Sequence, residues 1–312
     1  MRALLIFRER LRAFYARYSQ PVDYALRFLA AFAVLLLVLR MTGYREEIHG
    51  ILLALAAGLF LALLPAGAAV LFSAGLILAE FSAVSVELTL ASVMLFLAFA
   101  MIMFGFQVRH TILILVAPLF LYLRLPYALA LAVGLLGTYV SIIPAGIGIF
   151  AYYLMLYARQ NNSMFTIGEN TDRLDILSQV FSGVLGNPSM LLALSACCLS
   201  IVVVLLIRDL SINYAPLIGI ASGLIFQLLA VLIGSLMLKL TVMPVSTALS
   251  ALVSLGAALI LWFFLYSADY SRTEYLNYED DDYYYYVKAV PKMKVSLTDV
   301  RVTKINRVHK DE

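Results

Sequence analysis

The chain has 312 residues, of which 63% are hydrophobic and 13% charged, and its mean hydropathy is +0.96. A soluble domain carries about 25% charged residues, so this composition excludes a water-soluble globule and makes lipid the solvent. The net charge is only +3, no nucleic-acid partner and no cofactor is expected, and the adjacent Cys197 and Cys198 diverge in a helix, which excludes a disulfide framework or a cysteine metal set.

Residues 1–20 place Leu4, Phe7, Leu11, Phe14 or Tyr15, and Tyr18 on one helical face, with Arg2, Arg8, Arg10, Arg12 and Arg17 on the other. That pattern suits a helix lying on the inner membrane surface, or a basic anchor for the first span. Arginines reach position 17 and the following apolar run has the length of a helix, so the segment reads as retained rather than as a cleaved signal.

A transmembrane domain is expected over 21–267. Its first span runs from about Tyr24 to Met41, followed by a charged loop with Arg45, Glu46, Glu47 and His49. Ile51–Leu78 reads as one long helix kinked at Pro65 and Gly67, closed by Glu80. Val84–Phe106 is a third span, with Glu87 near its start and Arg109 and His110 after it. Thr111–Tyr157 has Arg124 as its only charge and fits two full crossings, or three shorter pieces cut at Arg124–Pro126 and near Gly137. The polar loop 159–188 contains an amphipathic helix, Thr171–Leu185, capped by Asn170 or Thr171 and ended at Gly186–Pro188. This helix is expected at the outer interface. Spans follow at Ser189–Ile207, Ala215–Leu238 and Val245–Tyr266. The expectation is an all-α polytopic protein of about eight transmembrane helices, with both lysine- and arginine-rich ends cytoplasmic.

Within this domain Leu125–Tyr153 stands apart, because Pro126, Gly134, Gly137, Pro144, Gly146 and Gly148 interrupt an otherwise apolar stretch. Broken membrane helices point to transport sites. Glycines at such spacing also serve close helix packing. The sequence leaves both readings open, and a broken or re-entrant element is expected here.

The tail, 268–312, changes character. Thr273–Tyr278 is strand-like, Glu279–Asp282 turns, and Tyr283–Val290 is strongly β-prone. Met293, Val295 and Leu297 alternate further on, as do Val300 and Val302. A small cytoplasmic β-hairpin is expected, with Tyr284 and Tyr286 packing while Tyr283 and Tyr285 face water. A lone hairpin is marginal in water, so residues 271–297 are a candidate contact for a cytoplasmic or membrane partner. Ser271–Lys292, together with Leu125–Tyr153 and Leu206–Tyr214, resembles an uncharacterised family of bacterial polytopic membrane proteins loosely labelled permease-like. The resemblance implies a bacterial inner-membrane setting and brings no site residues.

No enzyme is expected. Gly146-Ile-Gly-Ile-Phe-Ala151 lacks the strand that a dinucleotide loop needs. Ser222 has no histidine in any span to serve as base. Glu46-Glu47 lacks the arginine four residues on that prenyl-protein proteases carry, Ile51 standing there instead. Ionisable groups in or near spans are the better candidates, because charge in a bilayer is costly: Glu80, Glu87, Arg109, His110, Arg124 and Lys239. Glu87 is the sharpest, although a carboxylate in a first helical turn also suits the helix dipole. Arg124 suits an anionic substrate or a snorkelling helix end, and Gln227 suits interhelical glue or a ligand contact. Gly219 and Gly223 form a GxxxG packing face. The transport candidates are therefore Glu87, Arg124, Gly134, Gly137, Pro144 and Gln227. The expected function is a permease-like component moving a small solute or lipid, ion-coupled or served by a separate ATPase subunit. The alternative is a non-transporting scaffold whose β tail recruits a partner.

Overall fold

Proline and glycine decide where the long apolar runs are cut. A computed structural model of the chain describes residues 2–44, 50–106, 110–166, 173–241, 243–266, 268 and 272–291. The chain divides into two compact units, Gln20–Tyr266, and Met1–Ser19 with Ser267–Glu312. The Arg45–His49 loop, Arg109, the Asn170/Thr171 cap and the alternation beyond Lys292 lie outside the described residues.

The larger unit is helical throughout: α2 (Ser19–Met41), α3 (Ile51–Leu63), α4 (Ala66–Phe81), α5 (Val86–Gly105), α6 (Ile112–Tyr122), α7 (Pro126–Leu136), α8 (Ile142–Gln160), the short α9 (Asn162–Thr166), α10 (Arg173–Leu185), α11 (Pro188–Arg208), α12 (Ala215–Met237) and α13 (Pro244–Leu265). A 3₁₀ turn, Tyr139–Ser141, leads into α8. Six helices among the described residues are long and apolar enough to cross a bilayer: α2, α5, α8 with its leading turn, α11, α12 and α13. The protein is thus a polytopic helical bundle by length and composition, with six such helices where eight crossings were expected. The difference lies in shorter apolar pieces.

Ile51–Leu78 is two helices rather than one kinked one. Leu64 and Pro65 are both extended, at ψ 151° and 150°, because the ring of Pro65 drives the residue before it out of the α region. Thr111–Tyr157 takes the three-piece option. α6 and α7 have 11 residues each, about 16 Å of helix, half of the roughly 30 Å hydrocarbon core. α8 alone has full length.

Four apolar cores hold the unit together among the described residues, the smallest joining α2, α3 and α4 through Leu35, Leu61 and Ala69. Phe81, Leu88, Leu154 and Met155 join α4, α5 and α8. Ala117, Ala145, Ile149 and Ile201 join α6, α8 and α11. Tyr127, Leu131, Val204, Ile220 and Ala258 join α7 to α11, α12 and α13. The apolar face of α10 is covered by protein rather than lipid: Val180 and Val184 are buried in the core of Phe81 and Leu154, and Gly183 lies against the Tyr157 ring.

In the smaller unit, α1 (Arg2–Arg17) exposes Leu4, Phe7 and Phe14 along one side. Its arginines are not uniformly solvated, since Arg8 is fully buried and donates to Glu9 Oε1 at 2.9 Å. β1 (Glu274–Glu279) pairs antiparallel with β2 (Tyr284–Ala289), Glu279 opposite Tyr284 and Glu274 opposite Ala289. This register corrects the tyrosine assignment. Tyr285 shares a face with Leu276, Tyr278 and Val287 and is 45% exposed, whereas Tyr284 and Tyr286, on the other face, are 70% and 80% exposed. Both faces are exposed, and the less exposed one carries Leu276 and Val287, at 39% and 40%.

Candidate functional site

The backbone reverses between the two half-helices through a Schellman turn. Arg124 N–H donates to the Leu121 carbonyl at 3.0 Å and Leu125 N–H to that of Phe120 at 2.8 Å. This pattern needs a left-handed residue after the helix, and Arg124 fills it at φ 60°, where glycine is the usual choice. α12 ends in the same way, with Lys239 at φ 53° and Leu240 N–H donating to Ser235 O at 2.8 Å. At both positions a cation stands at the negative end of a helix dipole.

Pro126 then opens α7. Its missing N–H costs nothing at the first helical position. Two other helices fasten this turn: Ser250 Oγ of α13 donates to Arg124 O at 2.7 Å, and Gln227 Nε2 of α12 donates to Pro126 O at 3.4 Å. Since Gln227 stands near the middle of α12, α7 begins level with the middle of that helix. Around its start lies a cavity of about 410 Å³, lined by Arg124, Gln227, Tyr152, Tyr153, Ser246 and Ser250 among others. Gln227 is only 1% exposed, and its Oε1 is buried without a hydrogen-bond partner among the described residues. The amide orientation follows from the Pro126 carbonyl, which requires a donor opposite it.

The other end of α7 is closed. Arg208 Nη1, at the end of α11, donates to the carbonyls of Gly134, Leu135 and Gly137 at 3.0, 3.1 and 3.0 Å. Its Nε pairs with Asp209 Oδ1 at 2.9 Å. Tyr266 OH donates to Leu135 O at 2.6 Å. Helix ends leave carbonyls that need such partners, and hydrocarbon makes the need acute.

Of the sequence candidates, Arg124 and Gln227 meet at the cavity. Gly134 and Gly137 belong to the sealed end. A Cβ on Gly134 would stand 2.6 Å from Val204 Cβ, and Gly223 lies against the same valine from the opposite helix; Gly219 approaches the Val204 carbonyl. Pro144 is buried in the first turn of α8. Glu87 sits in the first turn of α5, beside the Ser85 cap, and does not line the cavity. It is therefore no partner for Arg124, because α5 packs against α4, α8 and α10 instead. Arg208, Tyr266 and Ser250 escaped the sequence reading. Each works through a backbone carbonyl distant in sequence, for which no side-chain motif exists.

Two further features lie in this unit. Glu80 is fully buried, and its Oε2 accepts the Tyr44 backbone N–H at 2.7 Å. Burial pushes the Tyr44 hydroxyl pKa up, with Arg159 opposing and Glu80 reinforcing. A second cavity, of about 540 Å³, lies among α2, α4, α5, α6 and α8 and is lined almost wholly by apolar side chains such as Leu37, Ile77, Phe99, Pro118 and Met155. Among the described residues no group of three histidine, cysteine or acidic side chains could hold a metal ion. No protein-family model, curated protein or solved structure matches the chain.

Proposed function

We propose that the chain is a permease-like membrane protein that takes a small polar solute into the cavity at the start of α7. The observation that carries this reading is a half-helix beginning level with the middle of α12 beside a polar cavity, with one arginine and a buried, unpartnered amide oxygen on its wall. Discontinuous helices of this kind hold substrate in known transporter architectures, and the volume falls in the range of small-molecule sites. With both basic ends in the cytoplasm of a bacterial cell, Ser189, Thr241 and Ser246, which line the cavity near the ends of α11, α12 and α13, belong to its outward side. No nucleotide-binding motif accompanies it, so movement is coupled to an ion or to a separate ATPase subunit.

Uptake of small polar solutes into proteoliposomes tests this, with wild type compared against Arg124→Gln and Gln227→Leu. A solute whose uptake falls at least tenfold in both variants supports the proposal. Background flux for every solute with wild type overturns it. The scaffold reading keeps one observation in its favour: a two-stranded hairpin with exposed tyrosines and both outer edges unpaired among the described residues, suited to strand addition. Deleting 271–312 would then abolish partner capture while the membrane domain stays folded.

A further inference from the structure

Resting on the solute-site reading of the α7 cavity, we infer that its ligand is a small anion carrying several hydrogen-bond donors of its own, such as a hydroxylated acid.

Arg124 is the only charged side chain on the wall, and no ion pair neutralises it among the described residues. The positive end of the α7 dipole adds to it. A cation is thereby disfavoured and an anion drawn in. Three of the remaining hydroxyls and the amide, all close to the turn before α7, have already committed protons. Ser246 Oγ donates to Met243 O at 2.9 Å, Thr247 Oγ1 to Pro244 O at 2.8 Å and Ser250 Oγ to Arg124 O at 2.7 Å. Gln227 Nε2 is held by Pro126 O, leaving a buried oxygen that accepts nothing. These three hydroxyls and this amide present lone pairs, not protons, whereas the hydroxyls of Ser189, Thr241, Tyr127, Tyr152 and Tyr153 elsewhere on the wall can donate or accept. A buried acceptor left unmatched costs about 1–3 kcal/mol, so a ligand bringing O–H or N–H groups satisfies what a bare anion leaves empty. The part of the wall around Arg124, Gln227 and Ser250 asks for one negative charge and for donors together.

Equilibrium binding to the purified full chain in phosphatidylcholine nanodiscs separates these demands, using gluconate (charge and donors), acetate (charge alone) and glycerol (donors alone). Gluconate is expected to bind at least tenfold more tightly than either control. Arg124→Gln should weaken gluconate at least tenfold and leave glycerol unchanged, Arg124→Lys should restore most of the loss, and Lys239→Gln, which is not on the cavity wall although Leu240 and Thr241 are, should change gluconate affinity by less than about twofold. Gln227→Leu should shrink the gluconate-to-acetate ratio. An unchanged melting profile for each variant certifies its fold. Adding phosphatidylglycerol identifies the source of the ligand: competition with gluconate marks a lipid headgroup, and no competition marks a free solute. Equal binding of acetate and gluconate, or no binding of gluconate by wild type, overturns the inference. Gluconate binding without flux would sink the permease reading while the ligand class stands. Flux of neutral or cationic solutes through the same cavity would do the reverse.

Discussion

The two ends of α7 solve the same problem in opposite ways. Both are helix termini placed inside a membrane domain, where unsatisfied backbone groups are expensive. At the C-terminal end, one guanidinium and one phenol take three carbonyls among them, and Gly134 lets α11 approach close enough for Arg208 to reach. At the N-terminal end Pro126 removes a donor, Ser250 and Gln227 hold the turn by its carbonyls, and a cation and a bare oxygen remain on the cavity wall. Both ends are built around arginine, yet Arg208 is consumed by the backbone and Arg124 is not. The same side chain is a structural cap in one place and, in the function proposed above, a binding group in the other.

Substitutions that exchange these roles should separate stability from binding. Arg208→Met should have the largest effect, stranding the Gly134 and Gly137 carbonyls while Tyr266 still holds that of Leu135, and lowering stability by about 2–6 kcal/mol, read by denaturant titration in mixed micelles. Gly134→Val should come next, forcing α7 off Val204 at about 1–3 kcal/mol. It should also loosen the sealed end, visible as faster backbone hydrogen exchange at Leu135 and Leu136. Tyr266→Phe removes one bond and should cost about 1 kcal/mol without altering gluconate affinity. Arg124→Gly should have the smallest stability effect and the opposite sign: it relieves a left-handed residue at φ 60°, stabilising by up to about 1 kcal/mol while binding is lost. Lys239→Gly, with the same backbone relief at φ 53°, should stabilise to a similar degree and leave binding intact. If Arg124→Gly and Lys239→Gly behave alike in binding, the contrast between the ends of α7 fails.

Much of this contrast was half-visible in the sequence. Pro126, Gly137 and the lone Arg124 mark the cuts, because proline and glycine act on the backbone of their own neighbourhood. Gln227 was visible as an isolated polar group in an apolar span. What could not be read was the partner of each break. Arg208 reads as an ordinary basic span end, and only the approach of α11 along Gly134 turns it into a cap. Glu87 was given weight because it is an acid near an apolar run, yet helix packing sends α5 to the other side of α8. Pro65 was read as a kink because the count of apolar residues fitted one long helix. Two consecutive extended residues make it a break. The hairpin tyrosines show the same limit: alternation names two faces, and the register with Leu276 and Val287 decides which one is less exposed.

Arg208 carries one more consequence, for the order in which the protein can be made. The carbonyl of Gly137 waits for a donor 71 residues later in the chain. At translation rates of about 5–20 residues per second, that is on the order of 4–14 seconds of synthesis. During that interval α7 is a short helix with an uncapped end and no α11, α12 or α13 to lie against. It therefore settles into its final place only after the last third of the membrane domain has been delivered, which makes the cavity a late product of assembly.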